Sequence, residues 1–218
     1  MKIFKPSIIV AFITLLSRIS GYVRDILFAA FLGTSSLFDI LVYALKLPLV
    51  FKTVFFDSTF NNAIIPKILK ENEEENNSKE LNKFIYQIFS IFFFIAIPTI
   101  IIFEIFAEQI LFYLAKGFII LHDFELFVFI SRIIFPYLIF IVLNSFLTAL
   151  LNSKFKFALA ASIQIIINLF VIISIFISLY FKFNTILMIS ISIILGGFFQ
   201  TFVLSQFVKI DFIQLKLL

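Results

Sequence analysis

The sequence contains no cysteine, which excludes a disulfide framework, a thiol nucleophile and any cysteine-built metal site. Histidine occurs once, at His122 beside Asp123, where it reads as a solvated loop residue rather than a ligand or base. There is no glycine-rich phosphate loop, no Ser-His-Asp set and no cluster of metal ligands. Neither a metal nor a cofactor is therefore expected, and the chain does not read as an enzyme. Charge is scarce, at 14% of 218 residues. What is present instead is apolar: 62% of the residues are hydrophobic, phenylalanine alone occurs 35 times, and the mean hydropathy is +1.17. Soluble domains are only about 45–50% apolar, and a soluble fold of this length has too little interior to hide the excess. The composition defines an all-α, polytopic membrane protein.

A spanning helix needs about 20 mostly apolar residues. Six stretches qualify: 7–32, 38–60, 84–106, 124–151, 157–180 and 186–208. They predict a single membrane domain over 1–218, a six-helix bundle. The N-terminus has a positive end and an apolar run, like a signal peptide, but no small-residue cleavage site follows and Arg18 interrupts the region, so it reads as a retained first span. Residues 66–83, "PKILKENEEENNSKELNK", are too charged to enter a bilayer and read as a polar loop. Residues 109–121 are too short to span and read as an interfacial segment. Pro48 and Pro136 are expected to kink the second and fourth spans. Asn144, Gln164, Asn168 and Gln200 are expected to bond between helices, and Gly196-Gly197 to mark a close helix contact.

The positive charges sort by side. Lys2, Lys5, Lys67, Lys70, Lys79, Lys83, Lys154, Lys156, Lys209 and Lys216 fall on one face of the membrane, and Lys116 and Lys182 on the other. The positive-inside rule then places both termini and the 66–83 loop in the cytoplasm. The net charge of +4 is accordingly not a nucleic-acid signal.

The remaining basic residues, Arg18, Arg24, Lys46, Lys52 and Arg132, lie inside predicted spans. A charge at the bilayer centre costs roughly 2.5–3.5 kcal/mol on insertion scales, so these side chains should face a cavity or one another. Ser17, Gly21 and Arg24 share one helical stripe, and Arg18, Gly21 and Asp25 a neighbouring one. In the second span Asp39, Lys46 and Thr53 repeat every seven residues, with Asp57 four later. Two readings remain open. Two cationic faces on consecutive helices suit an anion-binding cavity; alternatively Arg18 or Arg24 pairs with Asp25 or Asp39 and locks the two helices, while Lys52 snorkels.

The segments "SRISGYVRDILFAAFLGTSSLFD" and "ALKLPLVFKTVFFDSTFNNAIIP" resemble the start of the MurJ/MviN lipid II flippase family. The matching positions are Ser17-Arg18, Gly21, Arg24-Asp25, Gly33, Asp39, Lys46-Leu47-Pro48, 55–60 and Pro66. Further on, "FPYLIF", "LLNS" and "LGGFFQ" are also similar to the family in order and spacing. The resemblance implies the N-terminal lobe of a two-lobed fold of the multidrug/oligosaccharidyl-lipid/polysaccharide exporter superfamily. It implies a bacterial inner-membrane protein that moves the undecaprenyl-pyrophosphate-linked peptidoglycan precursor between leaflets by alternating access. Arg18, Arg24, Lys52 and Lys46 would line the cationic cavity, supported by Ser17, Gly21, Asp25, Asp39 and Pro48. Lys52 stands where the family usually has an arginine, Thr53 replaces a second basic residue, and Asp57-Ser58-Thr59 departs from Glu-Gly-Ala. The implied partners are lipid II, the surrounding lipids and a second lobe, from the rest of a longer polypeptide, another chain or a second copy. A flippase for another polyprenyl-diphosphate glycan, or an inactive or partner-dependent membrane subunit, would carry the same features.

Overall fold

A computed structural model of the chain describes residues 4–33, 35–57, 78–115 and 123–208. Seven α-helices run through them: α1 Phe4–Leu32, α2 Ser36–Lys52, α3 Ser78–Leu114, α4 Phe124–Ile134, α5 Tyr137–Ser153, α6 Phe157–Phe181 and α7 Thr185–Phe207. Among the described residues, five segments are long and apolar enough to cross a membrane: Ser7–Leu32, Lys83–Leu114, Phe124–Ser153, Phe157–Phe181 and Thr185–Phe207. The sixth expected span is α2, which has only 17 residues. A π-helical turn, Thr53–Asp57, continues it by 5 residues, and the combined length of ~33 Å matches a bilayer core of about 30 Å. Residues 58–60 of that predicted span lie outside the described residues.

The irregularities fall where the backbone chemistry puts them. Pro136 lacks an N–H and divides the fourth span into α4 and α5, as expected. Pro48, by contrast, is held within continuous α2 and is buried. The third span is longer than its apolar core. Helix α3 begins at Ser78, so 78–83 of the predicted loop is helical, and it ends at Leu114, so 109–114 of the predicted interfacial segment belongs to the same helix. Its 37 residues are too long for the hydrocarbon, and the helix bends at Phe106, where φ/ψ is −106°/15°. That bend coincides with the expected end of the span at 106. The rest of the predicted loop, 66–77, and of the interfacial segment, 116–121, lies outside the described residues, as does His122.

Water does not drive helix against helix inside a membrane, so packing rests on close backbone approach and side-chain fit. The core sits between α2, α4, α5 and α7, where Ile40, Leu41, Ile130, Ile134, Leu138, Leu151 and Ile189 are fully enclosed. The Phe103 ring of α3 stacks on Phe135 at the α4–α5 break, with centroids 3.7 Å apart. Gly196 and Gly197 let α7 approach two helices at once. A Cβ at Gly196 would stand 3.2 Å from the Phe170 Cβ of α6, and one at Gly197 only 2.5 Å from the Tyr137 ring of α5. Gly33 closes α1 in the left-handed region at φ +63°, its N–H bonded to the Ala29 carbonyl at 3.1 Å. Helix α1 packs chiefly on α6, whereas α2 packs on α4 and α5. Between these two pairings a space is left.

Candidate functional site: a cationic cleft

That space is a cleft of about 700 Å³ walled by α1, α2, α5, α6 and α7. Arg24 and Asp25 of α1, and Lys46 and Lys52 of α2, line it. Among the described residues lining the cleft, three cations therefore face one carboxylate. Apolar side chains, including Phe28, Leu49, Ile141 and Ile193, make up most of the rest of the wall.

Arg24 is held from two sides. Its Nη1 donates to the Asn168 Oδ1 of α6 at 2.9 Å, and its Nε and Nη2 donate to the Asp25 Oδ1 at 3.0 and 2.8 Å. The Asn168 Nδ2 in turn donates to the Ser20 Oγ at 2.8 Å, and the Ser20 hydroxyl donates to the Ser17 carbonyl at 2.7 Å. Asn168 is almost fully enclosed, so both ends of its amide are spent on α1. The Phe28 ring lies 5.7 Å from the Arg24 Cζ, at cation–π range. A guanidinium has five N–H donors; three are engaged among the described residues, which leaves two for a ligand. The Lys46 ammonium lies 5.4 Å from the Tyr43 ring, and Lys52 is half-buried at the end of α2.

Not every predicted site residue joins the cleft. Arg18 does not line it and is exposed. Six residues separate it from Arg24, which turns it ~120° around the helix, away from the α6 contact. Asp39 is also exposed and off the cleft; it occupies the first turn of α2, where the helix dipole favours an acid. Pro48 is buried in α2 and does not line the space. Ser17 contributes its carbonyl, which accepts from the Ser20 hydroxyl. Gly21 faces Asn168, but a Cβ there would meet its Nδ2 at an ordinary 3.5 Å, so close approach does not demand glycine. The ion pair that Arg24 makes is with its own neighbour and does not tie α1 to α2; the α1 clasp is to α6.

Of the four amides singled out, three bond between helices. Besides Asn168, the Asn144 Nδ2 donates to the Gln200 Oε1 at 3.0 Å, and the Gln200 Nε2 donates to the Ile163 carbonyl at 2.8 Å. Gln164 does not: it is exposed in the cleft and has no hydrogen-bond partner among the described residues. Tyr137, Ser145 and Thr148 also line the space. Sequence reasoning missed them, although Tyr137 sits inside the "FPYLIF" stretch. No group of three His, Asp or Glu side chains among the described residues is placed to hold a metal ion.

Apolar helices that cross the membrane several times, around a half-enclosed cationic cleft, define a polytopic membrane protein built to keep charge inside the bilayer. The family model described as Lipid II flippase MurJ matches residues 28–218, and the chain belongs to that family. It is 34% identical over 204 residues to the probable lipid II flippase MurJ of Buchnera aphidicola subsp. Acyrthosiphon pisum, covering 92% of this chain and 39% of that protein. To the probable lipid II flippase MurJ of Rickettsia prowazekii it is 35% identical over 201 residues, covering 92% and 39%. The solved structure "Lipid II flippase MurJ, inward closed conformation" matches with a TM-score of 0.73 at 24% identity, over 93% of this chain and 42% of that one; that likeness speaks to the fold. The chain thus spans about two fifths of the length of the relatives it matches.

Proposed function

We propose that this chain forms the N-terminal lobe of a lipid II flippase in a bacterial inner membrane, with both termini cytoplasmic. The cleft receives the diphosphate of the undecaprenyl-linked precursor while the polyprenyl tail stays in the bilayer. The observation that carries this reading is Arg24, which keeps two N–H donors uncommitted in a cleft shared with Lys46 and Lys52. Family membership supports the substrate. A second lobe, from whatever source, completes the cavity and supplies the partner against which this one rocks during alternating access.

Lipid II binding to the purified chain tests the anion site. Arg24→Ala is expected to weaken it at least ~10-fold; Arg24→Lys should also weaken it, because an ammonium lacks the planar fork, but by less, because the charge is kept. Wild-type affinity in a monodisperse Arg24→Ala protein would refute the site. Reconstitution in liposomes with an outer-leaflet lipid II assay tests the lobe. No flipping is expected from the monomeric chain alone, and flipping when a second lobe is supplied; robust flipping by a demonstrated monomer would refute it.

A further inference from the structure

We propose that the α5–α6 wall of the cleft is a second subsite, which reads the uncharged glycan of the head group through Ser145, Thr148 and Gln164. This rests on the diphosphate reading above and adds to it the part of the substrate that distinguishes one polyprenyl diphosphate from another.

The three side chains line the same cleft as the cations. Ser145 and Thr148 are three residues apart on one face of α5, and Gln164 stands across from them on α6. None has a hydrogen-bond partner among the described residues. Several hydroxyls elsewhere in α5, α6 and α7 are satisfied within their own helices. Ser153 donates to the Leu150 carbonyl, Ser162 to Leu159, Ser174 to Val171 and Ser190 to Ile186, all at 2.7–2.9 Å. Two hydroxyls and an amide left uncommitted at membrane depth are unfavourable unless water or a ligand meets them.

These groups are also held in place. Their chain neighbours form a buried frame: Asn144 bonds Gln200, Thr201 bonds Asn144 at 2.9 Å, and Gln200 bonds the Ile163 carbonyl. Asn144 precedes Ser145 and Ile163 precedes Gln164, so the frame fixes the spacing of α5 and α6 directly behind the subsite. Fixed donors and acceptors are what selective recognition needs. Ala160 and Ala161 beside Gln164 leave room for a bulky group.

The resulting cleft is divided chemically. Among otherwise apolar lining, its charged residues all stand on the α1–α2 wall, and its uncharged polar residues, Gln200 of α7 apart, on the α5–α6 wall. A ligand that satisfies both carries an anionic centre next to hydroxyl and amide groups, which describes an N-acetylated sugar on a diphosphate. A free phosphate would leave the second wall unsatisfied.

The test compares two probes on the purified full chain in detergent, lipid II and undecaprenyl diphosphate, which lacks the glycan. The wild type is expected to prefer lipid II by about 10-fold or more, the scale of a few hydrogen bonds to uncharged groups. The Ser145→Ala, Thr148→Val, Gln164→Leu triple variant should lose most of that preference and bind undecaprenyl diphosphate within ~2-fold of wild type, which also reports an intact fold. Gln164→Leu alone, at an exposed position, should lose part of it. Unchanged preference in these variants would overturn the subsite. So would a wild type that binds both lipids equally, and the diphosphate site would then stand. A wild type that binds neither would overturn both.

Discussion

Asn168 is the residue through which α6 sets the direction of Arg24, and two substitutions there separate positioning from charge. Asn168→Leu removes the bonds to Arg24 and to Ser20. Side-chain hydrogen bonds between membrane helices average about 0.6 kcal/mol, so the loss of stability should be about 1 kcal/mol. It should not be larger, because Ser20 keeps its bond to the Ser17 carbonyl and Arg24, with a side chain 28% exposed, can turn to cleft water or to Asp25. Loss of its orientation should weaken lipid II binding about 5-fold, the equivalent of ~1 kcal/mol. Asn168→Asp keeps an acceptor in place but adds a carboxylate within hydrogen-bond reach of the guanidinium. Two unit charges 4 Å apart interact by about 4 kcal/mol at an effective dielectric constant of 20, and burial of the new carboxylate offsets much of that. The net effect on the melting temperature should therefore be small or positive, while the cleft loses one unit of positive charge. Lipid II binding should fall further than in Asn168→Leu, by more than ~10-fold, since two acids now compete for one guanidinium. Both quantities can be measured on detergent-solubilised protein, by a thermal-shift assay and by titration with lipid II. Wild-type affinity in Asn168→Asp would refute the argument that cleft charge holds the anion.

The remaining expectations concern the packing, the cation identity and the topology. Gly197→Ala should destabilise the bundle by about 1–3 kcal/mol, because the added methyl would lie 2.5 and 2.7 Å from the Tyr137 ring; Gly21→Ala, with ordinary contacts at 3.5 Å, is the control that should be near neutral. Ser131 is fully buried and its hydroxyl has no hydrogen-bond partner among the described residues, so Ser131→Ala should raise stability by up to about 1 kcal/mol; a clear loss would reveal a partner for it. Lys52→Arg should strengthen lipid II binding by offering a planar fork, and an unchanged Kd would mean that Lys52 acts as a point charge. With Ser78→Cys and Asn184→Cys, a membrane-impermeant maleimide on intact cells should label the second and not the first; the reverse pattern would invert the orientation.

Spans are legible in a sequence because the bilayer imposes a length on each apolar run. That is why the starts at 124 and 157 and the break at Pro136 emerge from composition alone. Helix ends are less legible. The polar residues of 78–83 continue α3 beyond the membrane because a helix needs no apolar environment to propagate once nucleated. Arg24, Lys46 and Lys52 could be grouped in advance because hydrocarbon excludes them from every other face. The same rule admitted Arg18, and there it was insufficient. Periodicity gives the angle between Arg18 and Arg24 but not which of them meets α6, and that depends on where Asn168 stands on another helix. Gln164 and Asn168 look alike in sequence, yet one is spent on α1 and the other faces the cleft. The four positions between them turn the helix by ~40°, and only packing says which side is filled.

The form of the Arg24–Asp25 pair bears on how such a cleft can work. Adjacent residues on a helix point ~100° apart, so the carboxylate reaches the guanidinium from the side. It engages Nε and Nη2 through one oxygen, Oδ1, and its side chain is 61% exposed. The charge is thus made tolerable in the bilayer without being used up. An acid on α2 in the same role would stabilise Arg24 equally well, but it would also staple α1 to α2 and close the cleft from within. Breaking such a buried pair costs about 3–5 kcal/mol, a barrier that every opening would have to cross. With the pair confined to α1 and the clasp made to α6, separating α1 from α2 ruptures no ion pair that Arg24 makes. Helix α1 is tied to α6, while α2 rests on α4 and α5. The cationic wall is therefore divided between two packing units, and under the proposed function an anion held by Arg24 on one side and by Lys46 and Lys52 on the other would draw them together.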